Sequence, residues 1–336
     1  MYNIIRFFLF LFNPEFAHHL AMKSLKIANH FGLLSLIAQK PQCKPRLIMG
    51  LKFDNPVGLA AGLDKNAQYI DCLSKLGFGF IEVGTVTPRP QPGNPKPRSF
   101  RLTKEEGIIN RFGFNNDGID RVIENIQKSK FKGILGINIG KNFDTPISKA
   151  VNDYLICFRK SYLFASYIVL NVSSPNTKNL RKLQEGENLD ELLKIIKSEQ
   201  KVLHKKYGKY VPFLLKISPD NTNSQLSVIC KLLFKYKIDG VIATNTTLSR
   251  DKVEISTMRN ELGGLSGLPL RSSSLRTLKF LKLSLNGKIP IIGVGGVMSG
   301  KDGKEKVNNG AELIQIYSGL IFKGHKLIYE LCREIG

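Results

Sequence analysis

Residues 290–319 read PIIGVGGVMSGKDGKEKVNNGAELIQIYSG, and the apolar runs at the two ends of this stretch decide the fold. Pro290–Val297 (PIIGVGGV) and Leu313–Gly319 (LIQIYSG) are nearly continuous in apolar residues. A strand of that composition is buried on both faces, as in a parallel sheet. Six earlier runs have the same character: Pro56–Gly62 (PVGLAAG), Phe80–Val86 (FIEVGTV), Ile134–Gly140 (ILGINIG), Tyr167–Ser173 (YIVLNVS), Phe213–Pro219 (FLLKISP) and Gly240–Thr246 (GVIATNT). Segments of helical periodicity lie between most of them. One is Leu189–Leu203, with Asn188 and Glu191 in a capping-box arrangement. Eight strands alternating with helices predict an α/β fold, a closed (β/α)8 TIM barrel. An open doubly wound sheet is the alternative. It shows phosphate glycines after its first strand, and Gly58 and Gly62 do not fit GxGxxG there.

Two insertions interrupt the repeat. Thr87–Leu102 holds five prolines and cannot be a helix, so an ordered loop with short extended pieces is expected at the top of the barrel. Ser174–Glu187 is polar and irregular and follows a strand end directly, where a lid would sit.

Residues 1–40 read as a small N-terminal helical extension. Ile4–Phe12 (IIRFFLFLF) is too short to span a bilayer, which needs about 20 apolar residues. No small-residue cleavage site follows it. Pro14 suits the first position of a helix, with Asn13 as its cap. Glu15–His30 and Phe31–Ala38 predict two short helices broken at Gly32. They either cap the bottom of the barrel or contact a membrane. Lys and Arg number 50 against 27 Asp and Glu, a formal charge of +23. The basic residues are scattered without a dense block, which favours solvated faces over a nucleic-acid surface and leaves room for a basic face that aids membrane docking. Cys43, Cys72, Cys157, Cys230 and Cys332 are widely spaced without a CxxC pair. That excludes a disulfide framework and a structural zinc site, and fits a reducing, cytoplasmic compartment.

Polar residues at the C-terminal ends of barrel strands read as catalytic. Here every strand ends in them. Asp64 and Lys65 follow Gly62, and the next ends carry Thr85, Asn138, Asn171 with Ser173 and Ser174, and Lys216. Thr244, Asn245 and Thr246 come next, then Gly295 and Gly296, then Tyr317 and Ser318. A lone Asn is more often a satisfied core residue, but eight such ends mark a site. The set has two lysines and no His or Cys. It lacks the carboxylate pair of a glycosidase and the clustered ligands of a metal site. Asparagine amides donate and accept together, which suits a planar ligand with imide and carboxylate groups. The glycines of the last two strands, with Gly267, expose backbone N–H groups in the manner of a phosphate cradle.

Several segments then point to one family: GLAAGLDKN (58–66), EVGTVTPRPQPGNPKPRSFRL (82–102), NRFGFNN (110–116), GINIGKN (136–142) and NVSSPNT (171–177). IATNTT (242–247), GGLSG (263–267), IIGVGG (291–296) and QIYSG (315–319) continue it. The chain resembles dihydroorotate dehydrogenase of the membrane-associated, quinone-reducing class 2. Ser174 stands where soluble class 1 enzymes carry Cys, and the extension includes PEFAHHLA (14–21). The resemblance implies oxidation of dihydroorotate to orotate on bound FMN, with a membrane quinone as electron acceptor, in pyrimidine synthesis. By the same resemblance Ser174 is the catalytic base. Lys65, Asn110, Asn171, Asn176, Asn245 and Thr246 hold substrate, together with Arg111, Phe112, Gly113 and Phe114. Ala61, Gly62, Leu63, Asp64, Lys65, Thr85, Asn138, Asn171, Lys216 and Thr244 line the flavin. Gly267, Gly296, Tyr317 and Ser318 hold its phosphate end. His18 and Arg101 contact the quinone, reached through an apolar tunnel for which Phe7, Phe8, Leu11, Phe16 and Leu20 are candidates. Residues 1–40 are then a membrane-associating segment and residues 41–336 the FMN-binding barrel, held peripherally at the cytoplasmic face of the membrane, with no metal and no nucleic-acid partner. A Schiff-base aldolase using Lys216 is the rival from another reaction class.

Overall fold

All eight apolar runs are strands of one closed barrel. The computed structural model describes residues 2–34, 41–254 and 257–336. Strands β1 (Arg46–Ile48) and β2 (Leu51–Phe53) form an antiparallel hairpin. The barrel strands among those that follow are β3 (Val57–Leu59), β4 (Phe80–Val86), β7 (Ile134–Ile139), β8 (Tyr167–Asn171), β9 (Phe213–Ile217), β10 (Gly240–Ala243), β12 (Ile291–Val294) and β13 (Leu313–Ile316). Each pairs in parallel with its sequence neighbour, and Ile314 opposite Val57 closes the ring. β5 (Ser99–Leu102), β6 (Gly107–Asn110) and β11 (Gly264–Gly267) make a separate antiparallel sheet in the order β11-β6-β5. β5 is the extended piece expected inside the proline-rich insertion.

Alternation along the strands sorts side chains into two cores. Ile81, Val83, Ile137, Leu170 and Leu215 face outward and pack on the helices. Phe80, Tyr167, Leu214, Ile242, Ile292 and Leu313 face inward. Higher up, the inward positions turn polar: Glu82, Asn138, Asn171, Lys216 and Gln315, each at most 5% exposed. Ile48 and Phe53 join the inward apolar cluster, and the Phe53 ring meets that of Phe80, the first residue of β4, at 5.2 Å. The hairpin therefore plugs the bottom of the barrel, the place that the sequence left open to the N-terminal helices.

Those helices lie instead toward the C-terminal ends of the strands. Helix α1 (Tyr2–Phe10) is the apolar run itself; α2 (Pro14–His30) follows. The Asn13 side chain accepts the Glu15 N–H at 3.0 Å, with Pro14 in the first turn, as expected. Half of the expected second helix at 31–38, from residue 35 onward, lies outside the described residues. α1 is tied to the segment after β13, where Tyr2 Oη donates to the Ile321 carbonyl at 2.6 Å and Arg6 to that of Phe322 at 2.6 Å. Ile4, Ile5, Phe7, Phe8, Leu11, Phe12 and Phe16 remain exposed. No described helix is long and apolar enough to cross a membrane. All five cysteines are free thiols.

The capping box at Asn188 is not formed. The helix runs over Gly186–Tyr207, so Asn188 sits inside its first turn, and its amide donates to the Lys182 carbonyl at 3.1 Å. The short 3-10 turn Leu180–Gln184 leads into the helix and moves its start upstream. A capping box does form at Thr222 and Gln225, ahead of the helix Asn223–Lys235.

Candidate active site

The strand ends surround one cavity with an open mouth. Lys216 of β9 and Gln315 of β13 reach it from the polar layer of the barrel. Ala61, Gly62 and Lys65 line it beyond β3, Thr85 at the end of β4, and Asn171 at the end of β8. Thr244, Asn245 and Thr246 follow β10 into the same wall. Asn110, Phe112, Gly113 and Phe114 come down from the end of β6, and Ser174 and Asn176 from the loop after β8. Gly267, Gly296, Tyr317 and Ser318 line the far end.

Six of the expected residues stand elsewhere. Leu63 belongs to the outer core. Asp64 accepts the backbone N–H groups of Gln68 (2.9 Å) and Tyr69 (2.7 Å), and burial pushes its acid up to about 6 against those bonds. Asn138 is fully buried beneath the wall. Arg111 turns its guanidinium to Glu261 at 2.5 Å, while its backbone N–H holds the Arg98 carbonyl at 2.9 Å. His18 and Arg101 lie along the N-terminal helices.

The amides form a chain of hydrogen bonds. Asn245 Nδ2 donates to Asn171 Oδ1 (3.1 Å) and to Ser173 Oγ (3.1 Å). Asn171 Nδ2 donates to Thr85 Oγ1 (2.8 Å), and Thr85 Oγ1 to Asn138 Oδ1 (2.5 Å). Asn176 Nδ2 reaches Asn110 Oδ1 at 3.1 Å, joining the loop after β8 to β6. Ser174 is 6% exposed, and its Oγ accepts the Asn176 N–H at 3.3 Å. This is a local turn bond, and it leaves the hydroxyl proton free for another acceptor. Thr177, three residues on, buries a hydroxyl oxygen that has no hydrogen-bond partner among the described residues.

Lys65 donates to the Gly62 carbonyl at 2.7 Å and stands 4.2 Å from the Phe112 ring centre. Part of the residue stays open to the cavity, but its ammonium is enclosed. Burial, and secondarily Arg98, lower its pKa to about 8, with Glu15 and Asp64 opposing. Burial takes His18 down to about 3, with Lys65 and His19 adding to the effect, so its imidazole is neutral. Arg101 donates to the Phe10 carbonyl at 3.1 Å and stands 3.9 Å from the Phe10 ring centre.

At the far end the backbone is shaped for close approach. Gly267 has φ +89° and Gly296 φ +72°. A Cβ would come within 2.1 Å of the Glu106 carbonyl oxygen at the first, and within 2.3 Å of Arg271 Cα at the second. Only glycine fits either place.

Sequence reasoning missed Gln315, which lines the cavity, and Glu82 and Tyr167, which lie beneath it. Their signal was present, since a glutamate inside FIEVGTV breaks an otherwise apolar run. It also missed the ion pair of Glu15 with Arg98 (2.8 Å), whose side chains are 11% and 8% exposed.

A closed parallel barrel with a deep polar cavity at the C-terminal ends of its strands is an α/β-barrel enzyme. A family model for dihydroorotate dehydrogenase matches residues 46–336. A dihydroorotate dehydrogenase (quinone) of Methylobacillus flagellatus is 55% identical over 336 residues, all of both chains. Its counterpart in Nitrosospira multiformis is 54% identical, covering all of this chain and 96% of its own. The crystal structure of DHODH from Eimeria tenella in complex with ferulenol superposes with a TM-score of 0.87 at 35% identity, over 96% of this chain and 90% of its own. The chain belongs to the dihydroorotate dehydrogenase family.

Proposed function

We propose that this chain oxidises dihydroorotate to orotate on a bound FMN and passes the electrons to a quinone, a step of pyrimidine synthesis. One observation carries this reading: Ser174 and the amides of Asn110, Asn171, Asn176 and Asn245 converge on a cavity that continues, without a break, into a cradle of glycines. The residues present fit FMN. Gly267 and Gly296 let backbone approach a phosphate closely, and Lys216 supplies a cation at the base of the cavity. Gln315 Oε1 is a buried acceptor without a partner among the described residues, suited to an N–H of a flavin ring. When bound, FMN supplies the hydride acceptor and relays two electrons to the second substrate.

The chain's own residues do the rest. The asparagine amides hold the imide edge of the planar substrate, and Lys65 holds its carboxylate. Ser174 Oγ takes the C5 proton while hydride leaves C6. A serine has no strong basicity, so the proton must move onward through a neighbouring hydroxyl in a site closed to water. Thr177 is our candidate for that neighbour. The exposed apolar face of α1 and the neutral His18, with Arg101, form the side by which a membrane quinone approaches. The protein is peripheral on that account, held at the cytoplasmic face of the membrane by α1 and α2.

The test is anaerobic mixing of the holoenzyme with dihydroorotate. The flavin should bleach, and its colour should return with a quinone rather than with fumarate. Reoxidation by fumarate alone would overturn the assignment of the acceptor.

Lys65 adds a pH dependence. Its pKa in the fold, about 8, lies below the ordinary 10.5, so it is charged below pH 8 and loses its proton as pH rises through that value. An anionic carboxylate binds the charged form. Orotate affinity, measured by calorimetry, should be flat below pH 8 and weaken about tenfold per unit above it. In Lys65→Met the break should vanish, and a break that persists would show that another group causes it.

A further inference from the structure

One carboxylate of the barrel interior has no part in the reaction described so far. Glu82 is an inward residue of β4 and is fully buried. Every polar neighbour is a donor: Asn138 Nδ2 at 2.8 Å, Gln315 Nε2 at 2.6 Å, Tyr167 Oη at 3.3 Å and Lys216 Nζ at 3.8 Å. A carboxylate only accepts, so both amides must turn their NH2 groups toward it. Their oxygens then face the other way. Asn138 Oδ1 is left to accept from Thr85 Oγ1, Thr85 Oγ1 from Asn171 Nδ2, and Asn171 Oδ1 from Asn245 Nδ2. At every link the donor points down toward Glu82. On the other branch, Gln315 Oε1 has no hydrogen-bond partner among the described residues, and Gln315 lines the cavity.

We propose that Glu82 is a positioning residue for both ligands: its carboxylate sets the donor–acceptor sense of the Asn138–Thr85–Asn171–Asn245 chain, turns Gln315 Oε1 into an acceptor for the cavity, and counters the charge of Lys216. The inference rests on the reading of the cavity as a flavin and dihydroorotate site. Stability alone is a poor reason for this residue. A buried ion pair is commonly no better than well-packed apolar side chains, and the inward layer just below is apolar. A charge at this point has a different effect. Amides are symmetrical enough to sit either way round, and one fixed acceptor removes that freedom from four side chains in series.

The experiment is Glu82→Gln in the full-length holoenzyme. The new amide places an NH2 group against donors already there, so Asn138 or Gln315 must turn over. Where Asn138 turns, orotate binding to the oxidised enzyme should weaken by roughly ten- to a hundredfold, the effect of leaving buried donors opposed, and where Gln315 turns instead the loss falls on FMN affinity. The midpoint potential of the bound flavin should move positive, because Lys216 is no longer countered. None of these readouts needs turnover. A melting temperature that falls while orotate affinity, FMN affinity and potential stay at their wild-type values would make Glu82 structural and overturn the proposal.

Thr85→Val cuts the chain halfway and serves as the second variant if Glu82→Gln does not fold. It should weaken orotate binding as well, and unchanged affinity would equally overturn the proposal. Where both fold, the double variant should bind orotate no more weakly than the worse single variant, since each breaks the same chain. A wild-type protein that takes up neither FMN nor orotate would instead refute the functional reading on which this one rests.

Discussion

Ser174→Ala should keep its flavin and lose dihydroorotate-dependent flavin reduction by roughly 10²–10⁴-fold, the usual contribution of a positioned base. Stopped-flow bleaching under anaerobic conditions measures it directly. The variant should fold. Ser174 gives its backbone neighbours one bond, from the Asn176 N–H at 3.3 Å, and that loss costs about 1 kcal/mol. Orotate should still bind, because the asparagine amides proposed to hold it are untouched. The defect should therefore fall on the rate of reduction and not on affinity. Reduction within tenfold of wild type across the pH range would refute the base assignment. Thr177→Val should show a smaller loss of the same kind, as expected of a group that only relays the proton.

Deleting residues 1–40 should abolish quinone turnover, since it strips away His18 and the apolar face of α1. From sequence alone, flavin reduction by dihydroorotate would be spared. The structure changes that expectation. Glu15 pairs with Arg98, and Arg98 also donates to the carbonyls of Pro92 (2.6 Å) and Asn94 (3.1 Å). The Asn94 amide in turn holds the carbonyls of Arg111 (2.9 Å) and Asn176 (3.2 Å), the second a lining residue of the cavity and the first next in sequence to the lining residues Asn110 and Phe112. Breaking one partner out of a buried pair is far costlier than losing an exposed one, although Arg98 gains water once α2 is gone. The truncated protein should thus still bleach its flavin, with a raised KM for dihydroorotate and a lower Tm. Glu15→Gln in the full chain isolates the link and should reproduce the KM effect while keeping quinone turnover. An unchanged KM in both proteins would refute the coupling, and surviving quinone turnover in the truncation would refute the quinone site.

What could be read from the residues follows from the range of the forces involved. The barrel was legible because burial on both faces leaves an unbroken apolar record in each strand. Strand-end polar residues were legible because the parallel arrangement brings all such ends to one face. The start of the helix at Gly186 was not, since Asn188 and Glu191 satisfy a local pattern that the preceding 3-10 turn overrides. Glu15 and Arg98 are 83 positions apart, and no local rule joins them. Glu82 was visible as an anomaly in FIEVGTV, but its meaning depends on Asn138, Tyr167, Lys216 and Gln315 arriving from four other strands. Leu63 and Asp64 share a motif with true lining residues, and the chain simply turns them away from the cavity.

The small sheet over the cavity has a consequence for how the chain is made. β5 and β6 leave the ribosome together, but their third strand, β11, lies some 150 residues later, with Gly264 opposite Asn110. The barrel itself cannot close until Ile314 meets Val57. A nascent chain therefore passes most of its synthesis with the glycine cradle unmade and the amide chain open to water. Contacts so distant in sequence form late and slowly. The cradle proposed to hold FMN is therefore complete only once nearly the whole chain has been made.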